Sequence, residues 1–340
     1  MLLLKVAASI APIMILTMSS MEISSMASAA EKVIVAHRGS SGYVPEHTLE
    51  GVAMSHAFGA DFIEQDLVLT KDHVPVVMHD IELEPMTDVA IKYPGRCRTD
   101  GKYYAIDFTL AEIKQLNIHE RRNLKTGEQA YPKRFPITLG QFRIPTLEEE
   151  LQLISGLNKS RGKNIGIYPE IKSPSFHRAE GVDISAIVIK ILAQYGYRSK
   201  SDNCIMQCFE WNELKEIRAL GYQGRLVYLV GGKTTRLDGE EKVPFHQETM
   251  ALIARVADGV GPAYSLVVEE DANGHWKKTD FVRLAHGAGL VVHPYTVRAD
   301  VPMGKVTDVS RMFDLIFTEA DADGVFTDHP DQGVMWKSKN

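Results

Sequence analysis

Disulfide chemistry has almost nothing to work with in this chain. Only three cysteines occur in 340 residues, Cys97, Cys204 and Cys208, too few for a cross-linked scaffold. Cys204 and Cys208 lie four positions apart in one strand-like run, about 13 Å along it and beyond disulfide reach, so both read as small buried apolar groups. An excess of basic charge is missing too: 38 Lys and Arg against 44 Asp and Glu leave a net charge of -6, which argues against nucleic acid as a partner. An anionic substrate must then be held by local cations and a metal, not by a general basic field. Internal repeats and low-complexity tracts are absent.

Residues 1–30 follow a pattern of their own, with one early Lys5, an apolar stretch and the small residues Ala27, Ser28, Ala29 and Ala30 at its end. That is the pattern of a secretory signal peptide cleaved after Ala29 or Ala30. Its apolar stretch is too short to span a membrane well, and no Cys precedes Cys97 to accept a bacterial lipid anchor. The expectation is a periplasmic or secreted protein without a stable membrane anchor, in which residues 31–340 form one large domain.

Within those residues, short β-branched runs alternate with helical stretches. The runs are Lys32–His37, Ala60–Thr70, Val74–Asp80, Asn164–Lys172, Asn203–Phe209, Gly224–Val230, Ala257–Pro262, Gly289–Val297 and Asp323–Asp328. Such alternation predicts a parallel sheet, and nine candidates for eight positions predict an α/β fold of the TIM-type (β/α)8 barrel class. The tight polar turn Lys71-Asp72-His73 joins the second and third runs, so one of them is expected to be a short hairpin strand. Thr109 with Glu112 and Thr146 with Glu149 fit capping boxes that open helices. The Pro-punctuated, aromatic-rich stretch from about 82 to 143 breaks the alternation and reads as an insertion after the third strand, over the face that carries His79.

Four segments place titratable side chains at the ends of these runs: His37-Arg38-Gly39, Glu64-Gln65-Asp66, His79-Asp80 and Pro169-Glu170-Ile171-Lys172. Residues two apart on a strand share a face, which pairs Glu64 with Asp66 and Glu170 with Lys172. Carboxylates buried in that way call for a cation, because an isolated buried charge is costly. At the carboxyl ends of barrel strands they would all face one mouth. The set offers three carboxylates for a hard metal, two imidazoles for proton transfer, and Arg38 and Lys172 for an anion.

Together with Pro45-Glu46-His47-Thr48 and Val292-His293-Pro294-Tyr295-Thr296-Val297, these segments resemble the motifs of the glycerophosphodiester phosphodiesterase family, with the exported, periplasmic bacterial branch the closest in appearance. The resemblance covers essentially the whole chain after the leader, including Asp107-Phe108-Thr109 and Thr146-Leu147-Glu148-Glu149-Glu150. It implies metal-dependent hydrolysis of glycerophosphodiesters to sn-glycerol 3-phosphate and an alcohol. Glu64, Asp66 and Glu170 take the place of the family's metal ligands, His37 and His79 of its acid and base, and Arg38, Lys172 and Glu64 of its substrate contacts. His47 stands where the family usually has Asn, as this branch commonly shows. Attack by the neighbouring glycerol hydroxyl through a cyclic phosphate and direct attack by water both remain open. The all-oxygen ligand set favours Ca²⁺, with Mg²⁺ the alternative. The implied partner is a small glycerophosphodiester, with a homodimer left open. Two other readings are a surface or host-binding barrel with little catalysis and a phospholipase D of the sphingomyelin-cleaving type; the complete set of acid, base and cation residues weighs against the first, and the polar character of the insertion against the second.

Other residues carry weaker expectations. For His293 a structural role and a substrate contact are equally supported. Glu46 suits a turn or supporting carboxylate more than a metal ligand, Asp328 a tie for the final strand, and Phe209, Tyr295 and Trp211 the alcohol side of a pocket. His56, His73, His119, His177, His246, His275, His286 and His329 read as surface or loop residues.

Overall fold

The computed structural model describes residues 31–239 and 241–340, and the expected signal peptide lies outside them. Eight parallel strands build the barrel: β1 (Val33–Ala36), β2 (Phe62–Leu69), β4 (Gly166–Ile171), β5 (Ile205–Cys208), β6 (Arg225–Val230), β7 (Gly259–Pro262), β8 (Val291–Val292) and β9 (Gly324–Thr327). Neighbours follow chain order, and β9 returns beside β1. The remaining gap is bridged where Asp323 N donates to Val292 O at 3.0 Å and Phe326 N to Pro294 O at 2.9 Å. One further strand of this sheet, β3 (Pro75–Val77), pairs antiparallel with β2. It is the hairpin strand that the Lys71-Asp72-His73 turn predicts, so the insertion follows the third strand of the chain but lies between the second and third staves of the barrel.

Alternation along the strands separates two apolar layers. Ile34 and Ala36 of β1, Ile63 and Leu67 of β2 and Ile167 and Ile171 of β4 point outward into the main core, where the helices pack. Val35, Phe62, Tyr168, Ile205, Val227, Leu229 and Phe326 point inward and fill the barrel. Further along the same inward rows the side chains become Glu64 and Asp66 on β2, and Glu170 on β4, all buried. The apolar filling therefore stops short of the carboxyl ends, and polar groups take over there.

Helix α1 (Leu49–Phe58) starts on Thr48, whose hydroxyl accepts from Gly51 N, and helix α2 (Leu147–Arg161) starts on the full capping box of Thr146 and Glu149 and ends on left-handed Gly162. Each cap satisfies backbone N–H groups that a helix start leaves unpaired. Thr109 and Glu112 form the second expected box. The insertion holds only short helical pieces and packs Leu83, Met86, Val89, Phe108, Ile113, Leu116 and Ile118 against Val68, Val76 and Met78 of the β2–β3 hairpin.

Of the histidines expected at the surface or in loops, His56 and His177 are buried within helices, whereas His119 and His329 lie in loops as expected but are buried there. Partners for three of them come from distant or loop segments: Asn158 and Arg161 for His56, the Glu120 carbonyl for His119, and the Ala299 amide for His329. Spacing along the chain carries no trace of these contacts. His73, His246, His275 and His286 are exposed, as expected. Cys204 and Cys208 are buried and, like Cys97, free.

Candidate active site

At the carboxyl end of the barrel, His37, Arg38, Glu64, Asp66, His79, Glu170, Lys172, Gln207, Phe209, Tyr295 and Arg298 surround a cavity of about 270 Å³. Every residue expected as acid, base, metal ligand or phosphate contact is therefore brought to one place. Larger hollows exist elsewhere on the surface, but they lack this concentration of chemistry, and size alone does not make a site.

Carboxylate oxygens of Glu64, Asp66 and Glu170 lie within 4.8 Å of one another and are buried. Glu64 is held at both oxygens, by Arg38 N at 2.9 Å and Gln207 Nε2 at 2.9 Å. His47 Nε2 donates to Asp66 Oδ2 at 2.7 Å, and Asp66 Oδ1 is buried without a hydrogen-bond partner. Burial, together with repulsion from the neighbouring carboxylates, pushes Glu64 well above the usual carboxylate range; burial pushes Glu170 up to about 8. Burial also works on Asp66, but the Lys172 charge and His47 outweigh it and hold that carboxyl well below its ordinary value. Three hard oxygens converging at this spacing, one of them unsatisfied, fit a divalent cation, which would relieve the repulsion.

The two cations expected on a phosphate border this triad. Lys172 Nζ donates to Glu170 Oε1 at 2.6 Å and sits 3.7 Å from Asp66 Oδ1. Arg38 donates from Nη1 to Glu46 Oε2 at 3.0 Å, and its Nε is buried without a hydrogen-bond partner. Its backbone is left-handed, with φ 56°, as is that of His47, with φ 58°. For non-glycine residues that conformation costs on the order of 1 kcal/mol each. The turn places the Arg38 amide on Glu64, and His47 N closes it on Arg38 O at 3.0 Å.

Each imidazole is backed by an aspartate. His37 Nδ1 donates to Asp328 Oδ1 at 2.5 Å, and its Nε2 lies 3.7 Å from Glu64 Oε2. His79 Nδ1 donates to Asp80 Oδ1 at 2.6 Å. Burial and then the Arg38 charge lower His37 to about 4 despite Asp328, and the same two causes lower His79. Asp80 is held down to about 2, with burial opposing and His79 and Arg121 prevailing.

The weaker expectations divide here, some holding and some changing. Asp328 ties down the end of β9, as Gly42 N on its carbonyl shows, but its carboxylate also orients His37. Glu46 binds Arg38 and Arg121, outside the carboxylate triad. His293 is buried among barrel-filling side chains, with Nδ1 3.1 Å from Tyr168 OH, and does not line the cavity. That setting favours the structural role over the substrate contact. Phe209 and Tyr295 line the cavity, whereas Trp211 faces a neighbouring groove. Gln207, Arg121, Arg134 and Arg298 were not expected: Gln207 and Arg298 sit at or beside expected strand ends, where a polar residue is a signal, but nothing local marks the two arginines of the insertion.

Residues 37–332 match the model of the glycerophosphoryl diester phosphodiesterase family. A Haemophilus influenzae glycerophosphodiester phosphodiesterase is 44% identical over 326 residues, covering 90% of this chain and 89% of that relative. One from Treponema pallidum is 39% identical over 336 residues, covering 92% and 93%. Among solved structures, an Oleispira antarctica phosphodiesterase in complex with the product sn-glycerol-3-phosphate superposes with a TM-score of 0.59 at 22% identity, covering 91% of this chain and 97% of that one.

Proposed function

The chain belongs to the glycerophosphoryl diester phosphodiesterase family, and from that premise we propose that its barrel mouth hydrolyses glycerophosphodiesters to sn-glycerol 3-phosphate and an alcohol, with a divalent cation on Glu64, Asp66 and Glu170. The observation that carries this reading is the convergence of that acidic triad with two aspartate-backed histidines, Arg38 and Lys172 on one cavity. Hydrolase activity on this substrate class also accords with the relatives at 44% and 39% identity.

Charge arithmetic supports the assignment of roles. A phosphodiester carries one negative charge, and its transition state spreads more over the equatorial oxygens. Arg38 and Lys172 face that charge. When bound, the cation adds further positive charge against the same oxygens. His37, lowered to about 4 with its Nδ1–H committed to Asp328, is neutral near pH 7 and has its Nε2 lone pair free on the cavity side. It suits the base, taking the proton of the nucleophile, water or the neighbouring glycerol hydroxyl, as the new P–O bond forms; in the second case water then opens the cyclic phosphate to give glycerol 3-phosphate. His79 is the acid, giving its proton to the alkoxide as the old P–O bond breaks. A bound phosphodiester offsets the Arg38 charge that lowers His79, which favours the protonated form when it is needed.

Calcium is the preferred cation and magnesium the alternative: all three ligands are carboxylate oxygens, and calcium tolerates irregular geometry. We assign the protein to the periplasmic bacterial branch, with residues 1–30 as a cleaved leader and a periplasmic or secreted location. The test is release of glycerol 3-phosphate from glycerophosphocholine, measured with a coupled assay before and after exhaustive EDTA treatment and again after adding calcium or magnesium. Turnover that survives removal of all divalent metal would sink the metal assignment. Absence of turnover with every cation would sink the activity.

A further inference from the structure

The insertion reaches the mouth of the barrel with two arginines, and each ends on the aspartate behind one histidine. Arg121 Nη1 donates to Asp80 Oδ2 at 2.5 Å, and Arg134 Nη2 donates to Asp328 Oδ2 at 2.6 Å. The division of labour is the same in both places: the histidine takes Oδ1 and the insertion arginine takes Oδ2. Both arginines are anchored on their far side. Arg121 Nη2 donates to Glu46 Oε1 at 2.6 Å, while Arg134 donates to Asp300 at 2.7 and 3.1 Å and to Ser41 O at 3.2 Å, with its guanidinium 3.8 Å from the Tyr131 ring centroid.

We propose that Arg121 and Arg134 are positioning residues for the reaction, so that the insertion acts as a two-pronged clamp on the carboxylates that orient His79 and His37. The proposal rests on the assignment of those histidines as the proton-transfer pair. An aspartate bonded to histidine alone can swing or take up a proton, and either change lets the imidazole rotate or adopt the wrong tautomer. An arginine on the second oxygen keeps the carboxylate ionised and fixes which oxygen faces the ring. Among the described residues, those outside the insertion supply this service once, through Arg298 Nε on Asp328 Oδ2 at 2.7 Å. Among the described residues, Arg121 is the sole arginine or lysine paired with Asp80. Removing Arg121 should therefore cost more than removing Arg134.

The experiment compares Arg121→Met, Arg134→Met, His79→Ala and His37→Ala on glycerophosphocholine and on a glycerol p-nitrophenyl phosphodiester, whose leaving group needs no proton. Each arginine variant should reproduce the substrate pattern of its own histidine variant. Arg121→Met should lose on the order of tenfold in kcat on glycerophosphocholine, the lower end of what loss of an orienting partner costs, and clearly less on the activated diester. Arg134→Met should lose a smaller factor, equal on both. In the His79→Ala background, Arg121→Met should add no further difference between substrates. Arg121→Lys, which keeps the charge but not the fork, should fall between wild type and Arg121→Met, and Arg134→Lys replaces Arg134→Met if that variant does not fold. Arginine variants that ignore the pattern of impaired histidine variants, or an Arg121 difference that persists without His79, overturn the clamp alone. Wild-type turnover in both histidine variants overturns the acid–base reading and the clamp with it.

Discussion

His37 and His79 face one cavity from unlike surroundings. The His37 side chain is 9% exposed and its Asp328 2%, whereas the values for His79 and Asp80 are 31% and 20%. Asp328 collects three donors, from His37, Arg134 and Arg298, while Asp80 has His79 and Arg121. A sealed imidazole with a fixed partner suits abstraction of a proton from a substrate already in place. An imidazole at the open rim suits protonation of an alcohol that must leave. Two identical side chains with identical kinds of partner thus differ in access to water, a difference that fits the proposed division into base and acid.

The largest expected effect tests that separation directly. His37→Ala should lower kcat/KM on the order of 10²–10⁴-fold on natural and activated diesters alike, and His79→Ala by a similar factor on glycerophosphocholine only. Parallel kinetics on both substrates decide the matter: rescue of His37→Ala instead of His79→Ala reverses the roles, and equal unrescued losses abolish the distinction.

Arg38 belongs to both corners, since its charge lowers both imidazoles, and it should show no preference between substrates. Arg38→Ala and Lys172→Ala are each expected to cost about 10²-fold or more in kcat/KM, equivalent to roughly 3 kcal/mol of transition-state stabilisation. A marked difference between natural and activated substrates in Arg38→Ala would place it on one side of the comparison.

A smaller effect concerns the floor between the corners. Glu64, Asp66 and Glu170 repel one another, so a cation that binds the folded state alone should raise stability by about 2.7 kcal/mol at a hundredfold excess over its Kd. Thermal unfolding with EDTA and with calcium reads this as a rise in Tm, and Asp66→Asn should abolish the rise. An unchanged Tm in wild-type protein would remove the cation from the triad.

The smallest effect asks whether a buried acid outside both corners behaves like those within. Glu150 on α2 is fully buried beside Gln65, both its oxygens lack partners, and burial pushes it up to about 8. The unfolded chain loses this proton near the ordinary value of 4.5. The folded protein therefore binds more protons between 4.5 and about 8, and stability declines as pH rises through that window. Glu150→Gln removes the ionisation, so its Tm advantage over wild type should be near zero at pH 4 and grow towards pH 8. A constant difference would mean that folding leaves the titration of Glu150 unshifted.

Much of the site was legible because its reacting groups lie at the ends of strands. Glu64 with Asp66, and Glu170 with Lys172, share faces through an alternation of period two, and parallel staves deliver their ends to one mouth. The hairpin strand Pro75–Val77 announced itself through its turn. Asp328 was assigned only half its role because its bond to His37 spans 291 positions. Nothing in the sequence separates His56, buried in α1, from an exposed imidazole until its partners Asn158 and Arg161 are known.

Local pattern in the chain was enough to determine the alternation of strands and helices, the two capping boxes, and seven of the residues that meet in the cavity, His37, Arg38, Glu64, Asp66, His79, Glu170 and Lys172. These depend on periodicity and on which residue types can share a face, and both are properties of neighbours in sequence. Which oxygen each histidine faces, how far each imidazole is shut away from water, and the arrival of Arg121 and Arg134 from the insertion were decided only by tertiary structure. Those ion pairs join positions 41 and 194 residues apart. An arginine in an irregular segment has no period to betray it, and becomes informative only when the fold sets an aspartate within reach and excludes the water that would otherwise screen them.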